Sequence, residues 1–153
     1  MLDRLAEYSF AIILLAVMVE ELGIPMPVPT DVLIVFMGAT SALSLLHLGQ
    51  AFLMLSVVCA IGASGLYAIV RYSGRPLVER FGQYVHLGPK QLARSEALLA
   101  RGGWKAIALG RATPGLRLAM VIACGLFRIS YPRFISAHLA GSAVYIAVFF
   151  GVG

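Results

Sequence analysis

Two stretches of 20 residues carry no Asp, Glu, Lys or Arg. They are Ala51–Val70, "AFLMLSVVCAIGASGLYAIV", and Phe134–Gly153, "FISAHLAGSAVYIAVFFGVG". At 1.5 Å of rise per residue each makes about 30 Å of helix, the thickness of the bilayer hydrocarbon. Composition agrees: the chain is 60% hydrophobic and 12% charged, with a mean hydropathy of +0.91. A soluble domain is about half apolar and about a quarter charged. The expected class is therefore an all-α integral membrane protein, forming a single membrane domain over residues 1–153.

The other apolar runs are too short to span simply. Tyr8–Val19 has 12 residues, Val32–Leu48 has 17, and Ala106–Gly110 and Leu118–Phe127 are shorter still. Segments of that length suit re-entrant or partly buried positions. Their order repeats. Residues 1–70 read as a short arm, a broken turn at Glu20–Asp31, a second arm and a full span. Residues 106–153 repeat the plan around a break at Gly110–Arg117. Paired interruptions in corresponding halves point to an inverted-repeat-like carrier with its site at the breaks. The fold expected is two opposed re-entrant helical hairpins, each followed by a transmembrane helix.

Between the halves, residues 71–105 hold seven Lys/Arg and two Glu. Pro76 and Pro89 suit the first turns of two short helices, and Gly102-Gly103 would end the second. Leu92, Leu98 and Leu99 give that helix an apolar stripe, fitting it to a membrane surface. Trp104, Tyr72 and Tyr84 suit the headgroup zone. A basic connection this short marks the cytoplasmic side. Arg128 and Arg133 add to that side, while Asp3, Arg4, Glu7, Glu20, Glu21 and Asp31 gather on the other. The hairpins then enter from opposite faces and meet at mid-depth in the cell membrane.

The breaks carry the chemistry. In "GRATPGLR" Thr113 suits an N-cap and Pro114 the first helical position, with Gly115 allowing close approach to the backbone. A helix N-terminus flanked by Arg111 and Arg117 makes a phosphate site. The plain alternative is that both arginines reach to the surface and bind nothing. In "EELGIPMPVPTD" three alternate prolines forbid a helix, and Asp31 either caps the following helix or titrates. Burial favours a neutral carboxyl and a nearby arginine favours a charged one. An acid balanced between the two, Glu20, Glu21 or Asp31, can carry a proton during transport.

Elsewhere the chemistry is sparse. Cys59 and Cys124 stand alone in apolar runs and read as small buried hydrophobes. His47 and His86 are isolated and interfacial, whereas His138, with Tyr145, is a candidate to line a cavity. No metal spacing, nucleophile–base pair or P-loop occurs, so no cofactor, metal, nucleic-acid partner or enzyme activity is expected. Asp3 and Glu7 offset Arg4, so the N-terminus does not read as a signal peptide. A homo-oligomer is compatible with this composition.

The breaks also resemble a known family. "GRATPGLR" is similar to the G-R-x-x-P-x-x-R signature of the DedA family, also called the SNARE-associated Golgi or VTT-domain family. "LLARGGWKAIALGRATPGLR" and "CGLFRISYPRF" resemble its approach to that motif and exit from it. "PVPTDVLIVFMG" has the spacing of its P-x-P-G-[ED] run, with Asp31 at the acid. "GASGLYAIVRYSG" resembles its G-D-x-x-x-Y-x-x-G-R-x-x-G stretch. Departures are Ala63 for Asp, Thr30 for Gly, and His138 and Tyr145 for Asn and Trp. Family members also usually continue past the equivalent of "FFGVG". The resemblance implies translocation of a lipid phosphate, such as undecaprenyl phosphate or a phospholipid, dependent on the proton-motive force. It implies Glu20 or Glu21, Asp31, Arg111 and Arg117 as essential residues. The residues alone leave two other readings open: a proton-coupled small-ion or drug antiporter, and a non-transporting membrane scaffold.

Overall fold

The structure is a computed structural model that describes residues 2–24, 27–42, 44–82, 88–113 and 116–152. Among these residues there are eight helices and no strand. Two helices are long and apolar enough to cross a bilayer: α3 (Leu45–Ser73) and α8 (Tyr131–Val152), with mean hydropathies of 2.2 and 1.7. They run antiparallel. Tyr67, near the end of α3, stacks on Phe134 at the start of α8, and Phe52 meets Phe150 at the other end. Their outward faces carry Leu53, Val57 and Ile61 on α3 and Val144 and Val148 on α8, all exposed. These stripes repeat every four residues, so one side of each helix is apolar and unpartnered, as lipid-facing helices are.

Two shorter helix pairs complete the domain. The first pairs α1 (Leu2–Glu21) with α2 (Thr30–Ser41), and the second pairs α6 (Trp104–Ala112) with α7 (Arg117–Leu126). In the first, Val17 packs with Leu55 and Cys59, and Gly62 abuts Glu21, so α1 runs parallel to α3 and stops beside its middle. Helix α2 then leads away, with Gly38 against Phe150. The second pair mirrors this from the other end. Trp104 bonds Ser136, Gly141 abuts Arg111, and α7 leads back until Gly125 meets Val70. Ser142 lies 11 residues into α8, about 16 Å along its axis. The two hairpin tips therefore meet near the midpoint of both long helices.

Packing follows the same division. One apolar core joins α1, α2, the first half of α3 and Tyr145 and Ile146 of α8. The other joins the second half of α3, α6, α7 and the first half of α8. A polar layer separates them. Two glycines permit the tips to approach it. A Cβ on Gly62 would lie 2.5 Å from Cβ of Glu21, and one on Gly141 would lie 2.5 Å from the Ala108 carbonyl oxygen.

Helix limits differ from those read in the sequence. The arm at Tyr8–Val19 is part of a 20-residue helix, because charged turns at both ends continue it. The arm at Val32–Leu48 is two elements. Helix α2 ends at Ser41, and α3 begins at Leu45 after an extended Ser44, a break that an unbroken apolar run conceals. Helix α7 begins at Arg117 and has Leu116, not Thr113, at its N-cap. Asp31 is not a cap either: Pro29 holds that position and Asp31 lies in the first turn of α2. The connection holds α4 (Arg75–Gly82) and α5 (Pro89–Gly102), and Leu92, Leu98 and Leu99 pack against the second core. Tyr84 and His86 lie outside the described residues. Cys59 and Cys124 are free and buried.

The glycine contacts make a direct prediction. Gly62→Ala and Gly141→Ala should each destabilise the fold by about 1–3 kcal/mol through overpacking. Gly49→Ala, with nothing within 4 Å of its Cβ position, should be neutral or gain up to about 1 kcal/mol. Unfolding in detergent, followed by the fluorescence of the single tryptophan, Trp104, measures all three.

Candidate functional site

The polar layer is an ion-pair cluster built from both hairpin tips. Glu20 and Glu21 end α1, Thr30 and Asp31 open α2, Arg111 lies in the last turn of α6, and Arg117 opens α7. Local preference does not account for this placement. A helix C-terminus carries partial negative charge and an N-terminus partial positive charge. Glu20, Glu21 and Arg117 therefore sit at the unfavourable ends of their own helices. Each is stabilised instead by the opposite hairpin.

Arg111 is the largest fully buried side chain among the described residues, 1% exposed. Its Nη2 donates to Oε1 of Glu21 at 2.6 Å, and its Nε donates to Oγ of Ser142 at 2.8 Å. Both members of the Arg111–Glu21 pair have side chains only 2% exposed. Arg117 donates through Nη2 to Glu20 and, at 3.3 Å, to Oγ1 of Thr30. Its Nε lies 3.8 Å from Glu21 and its Nη1 lies 3.8 Å from Asp31. Glu21 thus faces both guanidiniums, and Arg117 faces all three acids. The Tyr145 ring lies against both guanidiniums, 5.8 Å from Arg111 and 5.6 Å from Arg117, and its hydroxyl donates to Asp31.

Three features give this cluster a chemical capacity beyond cohesion. Its five charged groups comprise three carboxylates and two guanidiniums, so one negative charge is in excess when all are ionised. The Asp31 side chain is 41% exposed while Glu21 is sealed, so the acids differ in access to solvent. Finally, Nη1 of Arg111 is buried without a hydrogen-bond partner among the described residues. Buried donors are nearly always satisfied in folded proteins, and an orphan on a guanidinium calls for a specific reason.

The structure thus brings together Glu20, Glu21, Asp31, Arg111, Arg117 and Tyr145. His138 is buried and faces Ser142 Oγ through Nε2 at 3.3 Å, one residue beyond the Arg111 contact, and does not itself touch a carboxylate. The Thr113 hydroxyl donates back to the Leu109 carbonyl, closing α6. Gly115 lies outside the described residues. Sequence reasoning missed Ser142 and the full role of Thr30, both hydrogen-bonded to the arginines. The available signal was the small-residue run "AGSA" in an otherwise bulky spanning segment, since small residues mark close helix approach. No group of His, Cys, Asp and Glu among the described residues is arranged to hold a metal ion.

With this geometry established, kinship is informative. The VTT domain profile matches residues 28–153. The chain belongs to the VTT-domain family, the DedA family. A membrane protein of Mycobacterium tuberculosis strain H37Rv is 34% identical over 130 residues, covering 80% of this chain and 57% of the relative. Membrane protein YbfM of Bacillus subtilis is 24% identical over 149 residues, covering 97% of this chain and 91% of its own length. Undecaprenyl phosphate transporter A of Staphylococcus aureus is 25% identical over 147 residues, covering 94% of this chain and 71% of its own. The chain spans little more than half the length of the mycobacterial relative. No solved structure matches it.

Breaking the sealed pair should be costly. Arg111→Met leaves the buried Glu21 with only the longer 3.8 Å contact to Arg117 and should destabilise the protein by about 3 kcal/mol. Adding Glu21→Leu should restore most of that stability, because a well-packed apolar pair can replace a buried ion pair. Denaturant midpoints in detergent test both; a double variant no better than Arg111→Met refutes this account of the pair.

Proposed function

We propose that this protein is a multi-pass carrier of the cell membrane that moves a lipid phosphate, and that the two hairpins are re-entrant, holding the ion-pair cluster near mid-bilayer. The basic end, formed by α4, α5 and the start of α8, faces the cytoplasm by its charge bias. The observation that carries the reading is Nη1 of the buried Arg111, which has no hydrogen-bond partner meeting normal geometry among the described residues. A cluster that served only cohesion would satisfy every donor it buries, because a half-satisfied network is worse than an apolar core. A phosphate oxygen is the acceptor that matches a guanidinium best. The transporter named in Staphylococcus aureus supports undecaprenyl phosphate as the class of cargo.

The charge excess supplies a coupling mechanism. In the cluster as it stands the acids occupy the arginine donors, so an arriving phosphate competes with them. A proton on Glu20 or Asp31 removes the excess negative charge and weakens that acid's hold on Arg117. Phosphate then takes the vacated donors while its hydrocarbon chain stays in lipid. Loss of the proton to the other side restores the Glu–Arg pairs and expels the anion. Proton and anion therefore move through the cluster together, with Arg111 and Arg117 as the binding groups and Glu20, Glu21 and Asp31 as the proton-carrying ones.

Reconstitution in phosphatidylcholine vesicles containing undecaprenyl phosphate tests this. A soluble phosphatase outside the vesicles reads headgroup arrival at the outer leaflet. Arg117→Gln should slow transfer by roughly 100-fold, the equivalent of about 3 kcal/mol of charge-assisted bonding. Unchanged transfer overturns the reading. The directness of the Arg111–Glu21 pair favours the scaffold reading as the second choice. On that reading the exchange Glu21→Arg with Arg111→Glu retains the full phenotype, whereas a carrier with reversed tips does not.

A further inference from the structure

The basic end of the molecule contains a second cluster, which the mechanism above does not use. A cavity of about 230 Å³ opens between the end of α3 and the turn after α7, and Arg71, Arg75, Arg128, Gly74 and Phe127 line it. Arg71 is held in place. Its Nη1 donates to the Tyr67 hydroxyl and, at 3.2 Å, to the Ile129 carbonyl. Its Nε and Nη2 have no acceptor among the described residues. Arg75 reaches the one acid of the cavity, Glu96, at 3.7 Å, and stands largely in solvent. Three arginines and one glutamate thus line the cavity. The surplus of two positive charges matches a phosphate monoester, which carries about −1.5 to −2 at neutral pH.

Arg128 sharpens the argument. It is the only described residue other than glycine with a positive φ, 52°. The Arg128 N–H donates to Gly125 O at 3.2 Å and the Ile129 N–H to Cys124 O at 3.1 Å. That pair of bonds is the closing turn at the C-terminus of α7 in which glycine is the usual left-handed residue. Arginine there opposes backbone preference, and such outliers persist where the side chain has a task. Beside this mouth lies a second, apolar cavity of about 350 Å³, which includes Leu22, Leu66, Val70, Leu77 and Ile122 in its lining. Val70 lines both cavities. The lining of the apolar one runs from Ser73 and Leu77 near the basic end to Leu22, the residue that follows Glu21.

We propose that Arg71 and Arg128, assisted by Arg75, form a separate docking site for a phosphate monoester at the basic end, and that when the ligand is a lipid its chain occupies the apolar cavity beside Val70. Onward delivery to Arg111 and Arg117 rests on the carrier reading; binding at the mouth does not. Tyr67 acts here as a positioning residue, orienting Arg71.

Native mass spectrometry of the full chain in detergent tests this with dioleoyl phosphatidic acid as probe and dioleoyl phosphatidylcholine as control. The informative variant is Arg128→Gly, because glycine suits the left-handed turn and the whole arginine side chain is removed without straining the backbone. It should weaken phosphatidic acid binding about 10-fold at an unchanged or raised unfolding temperature, with phosphatidylcholine binding unaffected. The same loss should appear in an Arg117→Gln background, where the central cluster is disabled. Unchanged binding in Arg128→Gly and in Arg71→Gln overturns the proposal. Binding abolished by Arg117→Gln but untouched by Arg128→Gly also overturns it, while leaving the central carrier site standing. Loss on Arg128→Gly together with unchanged vesicle transfer by Arg117→Gln supports the mouth and removes the carrier reading. Competition by inorganic phosphate distinguishes the source. Displacement of phosphatidic acid at equal concentration assigns the site to free phosphate, and resistance to it assigns the site to the lipid and the apolar cavity.

Discussion

The arrangement of this protein depends on the pairing of Arg111 with Glu21. Both side chains are sealed from solvent, and a lone charge in that position would cost several kcal/mol even after relaxation. Neither hairpin can bury its tip alone. The α1–α2 tip carries acids and the α6–α7 tip carries bases, so each is the other's counter-ion. Helix dipoles reinforce the dependence, since Glu20, Glu21 and Arg117 lie at the wrong ends of their own helices. The tips are consequently stable together and unstable apart. That constraint makes one domain of two halves whose apolar cores are otherwise distinct.

The long helices serve this meeting. Gly62 on α3 and Gly141 on α8 remove the side chains that would hold the tips away from the axis. Above and below the polar layer, aromatic contacts pin α3 to α8: Tyr67 with Phe134 at one end and Phe52 with Phe150 at the other. The hairpin legs α2, α6 and α7, of 12, 9 and 10 residues, each reach about 14–18 Å, which is half a hydrocarbon thickness. The fourth leg, α1, is 20 residues and about 30 Å long, so three of the four legs have the half-span length and α1 does not.

Much of this was legible in the sequence because burial in lipid is a severe filter on composition. Charge-free runs marked α3 and α8, and isolated charges beside Pro and Gly marked the residues that meet at the tips. What hydropathy cannot register is geometry within an apolar run. The break at Ser44 between α2 and α3 is as hydrophobic as its flanks, and α1 extends through charged turns that look like termini. Cap chemistry at Thr113 also misled. Its hydroxyl satisfies a carbonyl of the helix before it rather than an N–H of the helix after it, and both uses fit the same residue. Ser142 and Thr30 escaped notice because a single hydroxyl gains meaning only from the guanidinium opposite it.

The two arginine clusters differ in the one property that sets the order of binding. At the centre acids outnumber bases, so on the carrier reading proposed above an anion enters after a proton has relieved the excess. At the basic end arginines outnumber the single acid that lines the cavity, so on the docking proposal an anion binds there with no prior protonation. The apolar cavity beside Val70, whose lining holds no charged side chain, is where the docking proposal places the hydrocarbon chain. On the proposed carrier reading, a lipid phosphate meets an open electrostatic site before a closed one, and the proton requirement falls on the inner step alone. On that reading coupling follows from where the carboxylates are placed, with α3 and α8, in contact at both ends, as the frame that holds the two tips together.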